Sequence, residues 1–184
     1  MTTGHVFIAV SLDGFIARKD HAIDWLEGQG TTTEEHGYTQ FVNSVDGIIF
    51  GRKTYEVILD LTSDAEWPYP KPVIVLSRTL TNSDIPTHLT DKVTVTDQTP
   101  AELLQSLDQQ GWKRAYIDGG ITIQSFLNEG LIEDLIITTL PILIGEGIPL
   151  FGTIPEDIHL ELIKLNQYPS GLAQSHYRVL KRSS

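Results

Sequence analysis

Two predicted strand-to-helix junctions carry residues suited to binding an anion. At the first, Gly51-Arg52-Lys53-Thr54, a glycine permits a close backbone approach, and two cations and a hydroxyl follow at once. At the second, Tyr116-Ile117-Asp118-Gly119-Gly120, paired glycines allow a diphosphate to reach the N–H groups of a helix start. Ser77-Arg78 ends another predicted strand, where arginine suits a phosphate monoester. The combination predicts a site for a phosphorylated dinucleotide.

Several other site types are excluded by what the sequence lacks. There is no G-x-G-x-x-G fingerprint, and Gly-Arg-Lys-Thr does not have the order of a Walker loop. No G-x-S-x-G motif indicates a hydrolase. Without cysteine, disulfides, thiolate chemistry and cysteine-based zinc sites are excluded. The six histidines lack the i, i+4 spacing with an intervening carboxylate that is typical of helical zinc sites, so no metal is expected.

The elements that must position these residues alternate between strand and helix. Apolar runs and helical periodicities predict an α/β domain with a mostly parallel sheet that ends in an antiparallel hairpin. Residues 13–31 are predicted to form an irregular loop. The predicted strands are 6–12, 47–50, 72–77, 93–96, 115–118, 135–143, 158–165 and 172–182. The predicted helices are one that Thr33-Glu34-Glu35 opens and whose apolar positions run from Tyr38 to Val45, a second over 52–61, a third capped at Thr99 that runs to Gln110, and a fourth from Gly120 to Asn128.

Composition limits the class of protein and its partners. With 184 residues, 40% hydrophobic, the chain is expected to form a single domain over 1–184. A formal net charge of −11 argues against nucleic acid as a partner. No apolar run approaches the ~20 residues that span a bilayer. Because the N-terminus also lacks signal-peptide features, a cytoplasmic protein without membrane contact is expected.

Five segments occur in order and span nearly the whole chain. They are Ser11-Leu12-Asp13-Gly14-Phe15-Ile16-Ala17, Gly51-Arg52-Lys53-Thr54-Tyr55-Glu56, Val75-Leu76-Ser77-Arg78, Asp118-Gly119-Gly120 and the run from Pro141 to Phe151. Together they resemble the stand-alone form of the C-terminal reductase domain of riboflavin biosynthesis and, more distantly, dihydrofolate reductase. The resemblance implies a dihydrofolate-reductase-like fold of three α/β/α layers, with NADPH as cofactor.

The resemblance also implies roles for individual residues. Arg52, Lys53, Thr54, Ser77 and Arg78 would hold the adenosine 2′-phosphate and nearby phosphates, beside Gly51. The two arginines favour NADPH over NADH, because a 2′-phosphate needs cationic partners. The remaining cofactor contacts that the resemblance implies are Asp118, Gly119, Gly120 and Ile121 at the diphosphate, and Ala9 and Ile16 at the nicotinamide.

The substrate side matches the family less closely. Asp24, which precedes Trp25, is the candidate proton donor or hydrogen-bond acceptor, although an aspartate here also suits a helix cap. Trp25, Asp13 and Thr138 are the further candidate substrate contacts. The fused zinc deaminase domain of many such reductases is absent from this sequence. The substrate class therefore stays open between a pterin and a pyrimidine-like riboflavin precursor.

Two functions remain compatible with these residues. The first is an NADPH-dependent reductase that transfers a hydride to a small heterocycle. The protein's task would then be to position the substrate and exclude water, because the cofactor supplies the hydride. The second is a non-catalytic protein of the same fold that binds a nucleotide or another small molecule. In either case a homodimer is expected, with the apolar segment 135–144 serving both core and interface.

Overall fold

A computed structural model of the chain describes residues 1–27, 36–62 and 67–181. The strands are β1 (Thr3–Ser11), β2 (Phe15–Ala17), β3 (Gly47–Gly51), β4 (Val73–Leu76), β5 (Val93–Thr96), β6 (Arg114–Asp118), β7 (Ile132–Leu140), β8 (Ile148–Pro149), β9 (Leu160–Gln167) and β10 (Ala173–Val179). The helices are α1 (Tyr38–Ser44), α2 (Arg52–Leu61), α3 (Pro100–Gln109) and α4 (Gly120–Asn128). Short 3-10 turns cover Asp24–Leu26, Asn82–Asp84 and Thr87–Leu89.

One sheet of 8 strands organises the domain, in the order β5-β4-β3-β6-β1-β7-β10-β9. The first six of these strands run parallel to one another. The last two, β10 and β9, are antiparallel to their neighbours and form the C-terminal hairpin. The structure thus confirms the predicted mostly parallel sheet with an antiparallel hairpin at its end.

Helices cover the two faces of this sheet in pairs. Apolar residues of α1 and α2 pack on one face, around Ile48 and Phe50 of β3. Residues of α3 and α4 pack on the other face, around Ile49 of the same strand. All three β3 residues are fully buried, which explains why this strand is a continuous apolar run rather than an alternating one. The result is the three-layer α/β/α arrangement.

The strongest local signals are confirmed at the start of α3. The Thr99 hydroxyl accepts the N–H of Glu102, and the Glu102 carboxylate accepts the N–H of Thr99, which is the predicted capping box. The chain reverses after this helix at Gly111, where φ is +91°. None of the described helices is both long enough and apolar enough to cross a membrane.

Other boundaries differ from the prediction. β1 and β7 each begin three residues earlier than expected, because polar residues at their starts pair with each other across the sheet, as His5 does with Asp134. Residues 13–31 are not irregular throughout, since β2 pairs with β8 in a second, 2-stranded sheet. Because β2 and β8 are about 130 positions apart in the sequence, the local periodicity does not indicate that they pair. The predicted helix start at Thr33 lies outside the described residues.

Candidate functional site

A cleft of about 950 Å³ runs along the carboxyl ends of the parallel strands. Its walls include the last residues of β3, β4 and β6 and the first residues of α2 and α4. All the residues that the sequence predicts on the cofactor side line this one cleft. They are Ala9, Ile16, Gly51, Arg52, Lys53, Thr54, Ser77, Arg78, Asp118, Gly119, Gly120 and Ile121.

The centre of the cleft is a topological switch point of the sheet. β3 and β6 are neighbours, but α2 follows β3 onto one face and α4 follows β6 onto the other. In open α/β sheets such a crevice is where ligands bind. The starts of α2 and α4 approach each other closely beside this crevice. A Cβ on Gly119 would lie 2.6 Å from Thr54 Oγ1, and a Cβ on Gly51 would lie 3.0 Å from Thr122 Oγ1.

The helix starts at the crevice offer free backbone donors. Neither α2 nor α4 has a side-chain cap, whereas α3 has the complete capping box. The first N–H groups of a helix have no partner within the helix, and the helix dipole favours an anion there. Of these donors, the Gly119 N–H is engaged, because it donates to Asp118 Oδ1 at 2.8 Å. The arrangement is suited to a diphosphate held between two helix starts.

The cations at one end of the cleft differ in their availability. Arg52 Nε lies 2.5 Å from Glu56 Oε1, its Nη1 donates to Thr79, and Lys53 also pairs with Glu56. Hydrogen bonds from Arg52 chiefly, and from Lys53, hold the pKa of Glu56 below its usual range. Arg78, by contrast, is exposed and has no hydrogen bond or ion pair within the described part of the chain.

The position of Arg78 is set by the residue before it. Ser77 Oγ accepts the N–H groups of Thr79 and Leu80, at 3.2 and 2.9 Å, which closes a turn directly after β4. The turn places Arg78, which is exposed, in the lining of the cleft. A free guanidinium beside a hydroxyl is the arrangement that recognises a phosphate monoester.

Asp118 is the titratable group with the most unusual setting in the cleft. Burial raises its pKa to about 6, although the hydrogen bond from the Gly119 N–H acts in the opposite direction. Burial, and after it the Asp118 charge, raises the pKa of Tyr38 to about 12 and that of Tyr69 still further. Tyr69 lines the cleft together with Asp118. The sequence around it, Pro68-Tyr69-Pro70, contains no motif that indicates a binding site.

Asp24 does not line the cleft, although Ile23 and Leu26, which are close to it in the sequence, do. Its carboxylate is exposed and accepts two hydrogen bonds from Arg18, at 2.6 and 3.1 Å. This contact lowers the pKa of Asp24 and so favours the ionised form. In the structure Asp24 forms an ion pair with Arg18, and its role as proton donor stays a prediction.

The other three predicted substrate contacts also lie away from the cleft lining. Asp13 accepts the Ser11 hydroxyl at 2.6 Å and the Gly145 N–H at 2.8 Å, so it ties the end of β1 to the loop before β8. Trp25 is buried with Leu140 and Leu172. Thr138 is buried in β7 and accepts a hydrogen bond from Gln174 Nε2.

The fold agrees with what comparison with known proteins finds. The model of the RibD C-terminal domain family matches residues 3–174. The chain belongs to the RibD C-terminal domain family. One similar protein is the uncharacterized protein YwjB of Bacillus subtilis (strain 168). It is 34% identical to this chain over 176 residues, which cover 94% of this chain and 95% of YwjB.

Solved structures with the RibD C-terminal fold extend this comparison. A candidate riboflavin biosynthesis protein from Shewanella sp. PV-4 superposes with a TM-score of 0.90 at 38% identity, covering 98% of this chain and all of that one. Acinetobacter baumannii RibD superposes with a TM-score of 0.72 at 18% identity, covering 98% of this chain but 59% of RibD. The second likeness shows the shared reductase-domain fold alone.

Proposed function

We propose that this chain is an NADPH-dependent reductase of a small nitrogen heterocycle, either a pterin or a pyrimidine-like riboflavin precursor. The observation that carries the proposal is the convergence of two uncapped helix starts and the free Arg78 on one cleft at the β3–β6 switch point. Membership of the RibD C-terminal domain family supports a reductase. The name of the Shewanella protein supports a substrate of the riboflavin class.

The residues of the cleft fit NADPH. A Cβ on Gly119 would collide with the Thr54 hydroxyl and one on Gly51 would press on that of Thr122, so the two helix starts pack closely. Their uncapped N–H groups would hold a diphosphate. Ser77 and Arg78 would hold the 2′-phosphate, and Arg52 and Lys53 would reinforce the positive potential there. Ala9 and Ile16 line the cleft with Ile148 and would flank the nicotinamide. When bound, NADPH supplies the hydride.

The chain itself must hold the substrate and supply a proton. Asp118 is suited to the second task, because a carboxyl with a pKa of about 6 is partly protonated near neutral pH. Burial of the carboxyl raises its pKa and so favours the neutral acid. In this proposal Asp118 replaces Asp24 as the proton donor, and Tyr69 provides an aromatic wall against a planar ring.

The direct test is turnover. Purified protein is mixed with NADPH and a panel of dihydropterins and aminopyrimidine ribosides, and the loss of NADPH absorbance is followed with product identification by mass spectrometry. The proposal expects one class of substrate to be reduced with NADPH and far more slowly with NADH. Tight NADPH binding without reduction of any member of the panel would favour the non-catalytic binding protein instead.

A further inference from the structure

Helix α2 lines the cleft with one face, and the chemistry of this face changes along the helix. Its lining residues recur every three or four positions: Lys53, Thr54, Val57, Ile58 and Leu61. The first turn carries an ammonium group and a hydroxyl, whereas the next two turns are aliphatic. Leu61 follows Lys53 by two turns, which is about 12 Å along the helix axis. The cleft therefore extends from the crevice along an apolar wall.

The floor of this extension is the face of the sheet that α1 and α2 cover. Phe7 of β1 and Tyr116 of β6 pack in the apolar cluster on that face. Because side chains alternate along a strand, Ala9 lies on the same face as Phe7. Asp118 lies on the face of Tyr116 for the same reason. Ala9 and Asp118 both line the cleft, so the floor combines a methyl group with a carboxyl group.

The remaining walls are aliphatic or aromatic. Ile58 and Tyr69 pack against the same cluster as Tyr116, which places them over this face of the sheet. Leu26 packs in one cluster with Ala9. We call this part of the cleft the α2 subsite. Besides the Asp118 carboxyl group it is lined by Ala9, Leu26, Val57, Ile58, Leu61 and Tyr69.

The lysine and arginine side chains that line the described part of the cleft have places outside the α2 subsite. They are Arg52, Lys53, Arg78 and Lys19. The first three follow β3 and β4, where the proposed function assigns them to cofactor phosphates. Lys53, which is one turn from Val57, also pairs with Glu56. Lys19 pairs with Glu146 in the loop before β8.

Other sources of positive charge do not add to this subsite. His21, the histidine of the described lining, belongs with Lys19 to the segment after β2. The internal segments outside the described residues, 28–35 and 63–66, contain no lysine, arginine or histidine in the sequence. Within the described lining, the α2 subsite therefore holds the carboxyl group of Asp118 and no cation.

These properties decide which substituent the α2 subsite accepts. A phosphate or carboxylate there would lose hydration without gaining a cationic partner, and the Asp118 carboxylate would repel it. An apolar substituent would instead remove the aliphatic wall of α2 from water. We infer that the substrate is an uncharged heterocycle that carries an apolar substituent along α2 and no phosphate. The inference rests on the proposed function, which places the cofactor at the other end of the cleft.

The first experiment compares probes that differ only in this substituent. Methyl, benzyl and phosphonooxyethyl groups are placed on the pyrazine ring of pterin, and the same groups on the exocyclic nitrogen of an aminouracil. Calorimetric titration with and without NADP⁺ measures the dissociation constant of each probe. On at least one ring system the benzyl probe should bind about tenfold more tightly than the other two. A benzyl probe that binds no more tightly than the others on both ring systems, or no binding of any probe, would overturn the inference.

The second experiment places a cation in the subsite. Leu61→Arg should lower the dissociation constant of the phosphonooxyethyl probe about tenfold and raise that of the benzyl probe, because a charge-assisted contact replaces an apolar one. The matched control is Leu143→Arg, which should change neither constant. Leu143 is 67% exposed against 64% for Leu61, and it does not line the cleft. Circular dichroism spectra establish that both variants are folded. If L61R changes neither constant, or changes both as L143R does, the inference is wrong.

Turnover distinguishes a failure of this inference from a failure of the proposed function. If the benzyl preference and its reversal in L61R hold but no probe in its dihydropterin or pyrimidine form is reduced with NADPH, the preference of the subsite stands and the proposed reductase fails. If NADPH is oxidised fastest with a phosphonooxyethyl probe, the reductase stands and the inference is overturned.

Discussion

A Cβ placed on Gly119 would lie 2.6 Å from Thr54 Oγ1, so these two residues meet without room for a side chain between them. Gly119 precedes α4 and Thr54 lies in the first turn of α2. The converse contact, between Gly51 before α2 and Thr122 in α4, is similarly close. The two contacts hold two helix starts on either side of the β3–β6 crevice, and they are why the cleft has two sets of free backbone donors.

Replacing Gly119 with alanine should therefore impair both stability and cofactor binding. Gly119 has φ of +87° and ψ of 135°, a sparsely populated region that alone costs a residue with a Cβ about 1–3 kcal/mol, and the collision with Thr54 adds to this cost. Gly111→Ala is the matched control, since its φ is +91° and nothing lies within 4 Å of the added Cβ. Urea unfolding should show the larger loss in G119A, and only G119A should lose NADPH affinity. Equal losses in both variants, with NADPH affinity retained, would contradict this account of the crevice.

Arg78→Ala should weaken the binding of NADPH by about tenfold or more, because a charge-assisted contact to the 2′-phosphate is lost. The binding of NADH should change little, since NADH lacks that phosphate. Lys92→Ala removes an equal charge outside the cleft and serves as control. Fluorescence titration of each of the two variants with NADPH and with NADH measures the four dissociation constants. If R78A loses the same factor for NADPH and NADH, Arg78 does not read the 2′-phosphate.

Asp118→Asn should alter the pH dependence of stability and the pH dependence of turnover. The folded pKa of about 6 exceeds the ordinary value of ~3.9, so the folded state binds the proton more tightly than the unfolded chain does. Asp118 thus contributes stability that is full below about pH 4 and is lost as pH rises through about 6. The difference in melting temperature, D118N minus unmodified protein, should increase over this window and then level off.

The same substitution tests Asp118 as proton donor. Turnover of the unmodified protein should fall as pH rises through about 6, and D118N should be slower by about 10²–10⁴-fold without that limb. The matched comparison is Asp24→Asn, which should retain activity because Asp24 pairs with Arg18 away from the cleft lining. Loss of activity in D24N with full activity in D118N would restore the original assignment.

The residues that the sequence predicts on the cofactor side of this cleft could be identified because their signals are local. Glycine followed by cations at a strand end, and the Thr99–Glu102 capping box, each depend on a few consecutive residues. The substrate side could not be predicted in this way. Burial and, after it, the Asp118 charge raise the pKa values of Tyr38 and Tyr69, which come from distant segments. The Arg18 pair that engages Asp24 depends on how a loop folds. Likewise, β2 was missed because its partner β8 lies about 130 residues away.

At the opposite end of the sheet, Asp134 joins β1 to β10 and should matter for stability alone. Its carboxylate contacts His5 Nδ1 at 2.9 Å and His176 Nε2 at 3.3 Å, and His5 is 1% exposed. Burial raises the pKa of Asp134, but the two histidines outweigh it and lower the pKa overall. Asp134→Ala should cost about 1–3 kcal/mol by leaving His5 without this partner.

The matched control for Asp134 is Glu133→Ala, at the exposed neighbouring position in β7. Because the pKa of Asp134 is lowered on folding, its contribution is present above about pH 4 and is lost as pH falls through the folded value. Urea unfolding of the variant and the unmodified protein at several pH values should therefore show a difference that shrinks in acid. A cost no larger than that of Glu133→Ala would contradict the role assigned to the cluster.

The central claim is that the cleft at the β3–β6 crevice binds a phosphorylated dinucleotide, and calorimetric titration of the unmodified protein with NADPH and with NADH tests it most directly. The account predicts one NADPH per chain, with an affinity at least tenfold above that for NADH, because Arg78 is free to bind the 2′-phosphate. Absence of heat with either nucleotide, or equal affinity for both, would contradict it.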